Sequence, residues 1–219
     1  MNTFVQIRQL LYKDMVLEWR SKYAINGILL YAVSTIFVCY QAFRSLEPTT
    51  WNVLFWIILL FAAINAISKS FVQENPSRQL YYYSIVNAKA VILSKMIYNS
   101  LLMVILAGLA LIVYMVIFGN PLADPALYVV AVMLGAISFA SVFTMVSGIS
   151  AKAGHNTTLM SVLSFPIIIP LLIILIELSG NAMSGAPRAD SYPELAVLIA
   201  INIISIAISL LLFPYLWRE

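Results

Sequence analysis

Residues 73–87 read QENPSRQLYYYSIVN and hold the densest group of chemically able side chains in the chain. Glu74 and Arg78 lie one helical turn apart, and Tyr81, Tyr82 and Tyr83 follow directly. An acid, a guanidinium and three amphipathic rings offer ion pairing and flat contact area, which is recognition chemistry. A segment of this kind can lie at a membrane surface and present a face to a soluble partner. A second group is Phe165-Pro166-Ile167-Ile168-Ile169-Pro170-Leu171-Leu172, followed by Glu177. Each proline removes a backbone hydrogen bond from a helix, so Pro166 and Pro170 mark either a static kink or a hinge. Glu177 is a rare acid in an apolar run, near its end, where it can reach the interface. A third group is Asp14, Glu18 and Arg20, interleaved with Phe4, Ile7, Leu11 and Met15 at near-helical spacing.

The elements that must position these residues are membrane spans. The chain has 219 residues, 63% hydrophobic and 10% charged, against about a quarter charged in soluble domains. Mean hydropathy is +0.97. Stretches of the ~20 residues needed to cross hydrocarbon occur at 25–43, 51–71, 91–118, 126–149, 157–178 and 194–217. The expected fold is an all-α membrane protein of six transmembrane helices. An amphipathic interfacial helix over residues 1–24 precedes the bundle of 25–217, and the segment 73–87 joins helices two and three on the cytoplasmic side. The whole chain, 1–219, reads as one domain. The third stretch is long enough to tilt or protrude. The loop 179–193, rich in Gly, Ser, Asn and Pro, reads as flexible.

Orientation follows from the basic residues. Arg8, Lys13, Arg20, Lys22, Lys69, Arg78, Lys89, Lys95, Lys152 and Arg218 fall on one face, and only Arg44 and Arg188 on the other. Both termini are therefore expected in the cytoplasm. The same distribution accounts for the net charge of +3 without invoking nucleic acid.

Several chemistries are missing. There is no G-x-x-x-x-G-K-[ST] phosphate loop, no H-E-x-x-H and no G-x-S-x-G. The one histidine, His155, cannot build a zinc or bis-histidine haem site within one chain. The one cysteine, Cys39, sits in an apolar run and reads as a packed thiol. Asn65, Ser68, Asn99, Ser100, Asn202 and Ser205 inside the spans read as helix-to-helix hydrogen bonding or, alternatively, as the lining of a path. No catalytic residue, metal ligand or cofactor is expected on this chain alone.

Three places together are similar to the haem exporter protein B (CcmB) family: Lys13-Asp14 with Glu18-Trp19-Arg20; Phe71-Val72-Gln73-Glu74 through Ala90-Val91-Ile92-Leu93-Ser94-Lys95; and the run Pro166 to Ile173. The resemblance covers essentially the whole length. The chain departs from the family at Pro76-Ser77, where glycine is frequent, and at Tyr81–Tyr83, where leucines are. The resemblance implies an ABC-2-like permease of the bacterial inner membrane working as a homodimer. It implies a cytoplasmic CcmA-like ATPase that binds the ATP, and a CcmC-like haem-handling protein, a CcmD-like helper and a CcmE-like haem chaperone, with haem as cargo. Glu74, Arg78, Tyr81, Tyr82 and Tyr83 would then dock the ATPase, and Pro166, Pro170 and Glu177 would serve the hinge or path. The residues alone leave two other readings open: an ABC exporter permease for a lipid, drug or glycan, and a non-transporting membrane assembly protein.

Overall fold

The computed structural model describes residues 3–21, 23–43, 45–67, 86–152 and 157–218, with side chains left out at 19–25, 152, 157–161 and 216–218. Among the described residues there are helices and no strands. They are α1 (Thr3–Ser21), α2 (Tyr23–Ala42), α3 (Pro48–Ile67), α4 (Ala88–Phe118), α5 (Pro125–Lys152), α6 (Thr157–Ser184), a short 3-10 helix at Arg188–Ser191, and α7 (Tyr192–Arg218). Five stretches are long and apolar enough to cross a membrane: Pro48–Ile67, Ala88–Phe118, Pro125–Ala151, Val162–Ser184 and Arg188–Tyr215; Asn26–Ala42 is a shorter apolar helix.

The helices stop where their sequences remove the helical option. Asn87 caps α4, its side-chain oxygen accepting from the Lys89 N–H at 3.0 Å. Gly119 closes α4 at φ +84°, a conformation that favours glycine. Asp124 caps α5 by accepting from the Leu127 N–H at 3.1 Å, with Pro125 at the first helical position. Gly185, at φ +71°, ends α6.

Helix α5 is the hub. In its spanning stretch 72% of residues are buried, against 22% in the last span, so α5 sits inside the others. It packs on α3, α4, α6 and α7. Closest approach occurs at Gly135, where a Cβ would stand 2.7 Å from the Trp56 ring and 2.9 Å from Leu175. Small residues allow this kind of contact in membranes, where helices gain from packing and not from leaving water. At the end of the bundle that holds the 119–124 turn, Trp51, Phe55, Tyr114 and Tyr128 form an aromatic cluster joining α3, α4 and α5, with Trp51 and Tyr114 centroids 4.7 Å apart.

The loop 179–193 is not the flexible connection expected from its composition. Helix α6 continues to Ser184, and 188–191 forms the 3-10 helix. The Arg188 guanidinium donates to both carboxylate oxygens of Asp124, at 2.7 and 3.1 Å. The Asp124 N–H donates to the Ala182 carbonyl at 2.8 Å. These bonds tie the 119–124 turn to the end of α6, an ordering that Gly, Ser and Asn content does not reveal.

Two measurements check this packing. Gly135→Ala should destabilise the detergent-solubilised protein by about 1–3 kcal/mol, as overpacking does, read as a lower Tm. Gly108→Ala, whose added Cβ would have no atom within 4 Å, is the neutral control. The Arg188 hydrogen bonds and the Leu127 N–H hold the Asp124 carboxyl at about 2, below its ordinary 3.8. A lowered carboxyl pKa stabilises the fold above pH ~3.8, and that contribution fades as pH falls from there toward ~2. Amide exchange over 188–191 should therefore be insensitive to pH near neutrality, after correction for intrinsic rates. It should be faster in Asp124→Asn than in the parent.

Candidate functional site

The residues of segment 73–87 that were expected to dock a partner, Glu74, Arg78, Tyr81, Tyr82 and Tyr83, lie outside the described residues, which resume at Val86. What is described is the place where the chain returns from that segment, the N-terminal end of α4, and α1 lies against it. Gln6 of α1 is buried, and its Oε1 accepts from the Asn87 N–H at 3.2 Å. Eight residues further along each helix, the Lys95 ammonium stands 3.9 Å from Asp14 Oδ2. Lys95 is 6% and Asp14 13% exposed at the side chain. Asp14 Oδ1 also pairs with Lys13 at 3.2 Å. Midway between the two contacts, Leu10 and Val91 are both buried. A turn beyond, Glu18 stands beside Tyr98.

These contacts share one offset. Asn87 faces Gln6 and Lys95 faces Asp14, and α1 and the first turns of α4 advance together by about 12 Å over eight residues. The two helices thus run in the same direction here. With 31 residues, α4 is about 46 Å long, well beyond the ~30 Å of a hydrocarbon core.

Helix α1 is amphipathic as expected, with Arg8 exposed but two of its acids turned toward α4. Asp14 and Glu18 face α4, while Phe4 (75% exposed), Tyr12, Met15 and Leu17 face outward. The two acids are therefore directed at a neighbouring helix. The reason lies in α4, which places a buried lysine opposite them. The side chain of Arg20 lies outside the described residues. From the sequence Lys95 was read as a topology charge and as the last residue of the Ala90–Lys95 run of the family resemblance, neither of which assigns it a partner. Two acids at i, i+4 on α1 were the readable half of the contact.

Pro166, Pro170 and Glu177 are not brought near Asp14 or Glu18. All three are exposed on the outward face of α6, with Val162, Phe165, Ile169 and Ile173. Helix α6 runs unbroken through both prolines. The carbonyls their rings leave without a helical donor are those of Val162 and Pro166, on that same face.

Three of the interior polar contacts among the described residues are built on an asparagine. Beside the aromatic cluster, Asn52 of α3 donates to the Ile176 carbonyl at 3.0 Å, and its Oδ1 accepts from Tyr128 at 3.2 Å and Ser179 at 2.8 Å. Trp56 Nε1 donates to Ser179 Oγ at 2.8 Å. In the second contact, Asn202 of α7 donates to Ser138 Oγ at 2.7 Å and to its own helix at Leu198. In the third, Asn99 of α4 donates to Thr144 Oγ1 at 2.8 Å. The helix-bonding reading of Asn99 and Asn202 therefore holds. Asn65 instead bonds its own helix at the Phe61 carbonyl and is exposed. Asn52, Trp56, Tyr128 and Ser179 were not singled out from the sequence.

Helix α5 serves the second and third contacts through one pattern. Ser138, Ser141, Thr144, Ser147 and Ser150 recur every third residue and are all buried. A spacing of three on a 3.6-residue helix turns by about 60° per step. The stripe accordingly faces α7 at Ser138 and Ser141 and reaches α4 at Thr144.

Spanning-length helices cross-tied by buried amides and hydroxyls, with apolar side chains outward, define a multi-pass α-helical membrane protein. The family model described as CcmB protein matches residues 5–216, and the chain belongs to that family. CcmB membership implies a membrane permease component of a haem-exporting ABC system, not itself an enzyme. Curated protein sequences give no match.

Asn52→Ala should lower stability by about 1–3 kcal/mol, given ~0.6 and at most ~1.7 kcal/mol per interhelical bond. The readout is thermal unfolding in detergent. Asn65→Ala, which breaks only an exposed bond within one helix, should leave the Tm unchanged.

Proposed function

We propose that this chain is the permease subunit of an ABC transporter complex for cytochrome c biogenesis, in which ATP hydrolysis on a partner subunit is coupled to haem delivery or to release of a haem-loaded chaperone. The observation that carries the reading is the family match over residues 5–216. In this reading α2 is the first of six spans, and both termini lie in the cytoplasm of a bacterial inner membrane. Two copies of the chain work with two copies of a CcmA-like ATPase. CcmC-like, CcmD-like and CcmE-like proteins complete the assembly.

The mechanism is mechanical. The chain has no phosphate-binding loop of its own, so the energy must arrive through protein contact. ATP binding changes the partner dimer, and the cytoplasmic segment with Glu74, Arg78 and Tyr81–Tyr83 is displaced with it. The spans then exchange between two arrangements whose balance the partner sets. Pro166 and Pro170, by lacking helical hydrogen bonds, give α6 its bending point, with Glu177 near the same face. Release of a loaded chaperone fits the interior better than passage of haem. Asn52, Asn99 and Asn202 bond neighbouring helices, and the chain has one histidine, outside the described residues.

The test is the Glu74→Ala/Arg78→Ala double variant at normal membrane abundance. Covalent haem on c-type cytochromes should fall, and ATPase recovered with the permease in mild detergent should fall with it, by about tenfold for loss of a charged pair at an interface. Full cytochrome maturation by the double variant would remove these residues from docking.

A further inference from the structure

The contact between α1 and α4 has more specificity than an anchor needs. An anchor helix requires an apolar outward face, which Phe4, Tyr12, Met15 and Leu17 supply. It does not require a lysine buried to 6% exposure on the neighbouring helix, matched to an acid on its own inward side. A buried ion pair adds little net stability, because desolvation offsets attraction, but it penalises every arrangement that separates the charges. Here it acts together with a second polar contact. Gln6 holds the capping residue Asn87, Asp14 holds Lys95, and Leu10 and Val91 are buried between them at the same offset. A slip of α1 by one turn loses the Asn87 contact, and in one direction it sets apolar Leu10 against the Lys95 ammonium.

We propose that Asp14 and Lys95 are a positioning pair that makes α1 and the first turns of α4 move as one body. Motion delivered on the cytoplasmic side enters α4 at its Asn87 end. With α1 keyed to that end at two points, the motion is carried onward by two parallel helices. Without the pair, α4 would move and α1 would stay behind. The proposal rests on the reading of the chain as a partner-driven permease.

The experiment uses the full chain in native membranes with its partners. Val5→Cys and Val86→Cys, which flank the Gln6–Asn87 contact and leave it in place, are bridged in a Cys39→Ser background by a flexible thiol-reactive linker to report α1 docking. Lys95→Met and Asp14→Asn should each lower the bridged fraction at least about tenfold, a floor beneath the roughly hundredfold or more expected when a fully buried charge loses its partner. Covalent haem on c-type cytochromes should fall by a similar factor, while ATP hydrolysis by the recovered complex continues. The exchanged pair, Asp14→Lys with Lys95→Asp, should restore bridging and maturation to at least about half, because it returns opposite charges to the same two sites. The exchange also decides the case in which a single variant fails to accumulate.

Bridging unchanged in Lys95→Met would overturn the pair as the holder of α1. Lost bridging with normal maturation would overturn its role in transmission. An exchanged pair that accumulates without restoring bridging would overturn the electrostatic argument. Should c-type cytochromes mature without this chain altogether, the permease reading fails, and the bridging result still decides whether the pair holds α1.

Discussion

In hydrocarbon a polar group has no water to fall back on, so each buried amide or hydroxyl must be met by another part of the protein. The arrangement of this bundle follows from meeting that requirement through α5. Its hydroxyl stripe turns about the helix and meets Asn202 of α7 and then Asn99 of α4. Tyr128 on the same helix meets Asn52, which is also held by α6 through Ser179 and Ile176. These bonds set which face of each neighbour turns inward. Dispersion contacts then fill the space, with Gly135 letting Trp56 and Leu175 close onto α5. Nothing in a lipid-exposed stripe of Leu and Ile could choose one helix rotation over another, because lipid tails are as apolar as the side chains.

The two ends of the bundle are built differently. At the end that holds the 119–124 turn, Asp124 and Arg188 bind two turns together through an exposed charged pair, and such pairs contribute little to global stability. What they do is order a connection. At the Asn87 end of α4, Asp14 and Lys95 are shielded, so the same chemistry constrains the register of two helices. Between these ends, α6 presents Pro166, Pro170 and Glu177 outward and contributes Leu171, Leu175, Leu178 and Ser179 inward. The features that could bend it are therefore separated from those that anchor it. This division lets one helix hold the interior contacts while its outer side stays short of hydrogen bonds.

Much of the fold was legible because hydrophobic run length translates directly into spans. The ends of α4, α5 and α7 fall within three residues of where the apolar runs begin and stop, apart from the described caps. The amides Asn99 and Asn202 were readable too, since a polar side chain in a long apolar run needs a partner. Their partners were not readable, because nothing local says that residue 202 meets residue 138. The same limit hid Lys95. On the sequence it is one more cationic residue on the basic side, and only the approach of α1 turns it into a buried partner. The 179–193 connection failed for another reason. Its Gly, Ser and Asn residues are ambiguous between a loose loop and a helix end tied by side chains, and the tie is made by Asp124, 64 positions from Arg188.

As a permease of cytochrome c biogenesis, this chain would be required for haem attachment to c-type cytochromes. Haem-stained gels of membranes from a strain lacking the gene test that requirement most directly. Loss of every covalent haem band, restored by the intact gene, is the result the account predicts. Unchanged bands in a strain with no second maturation route would contradict it.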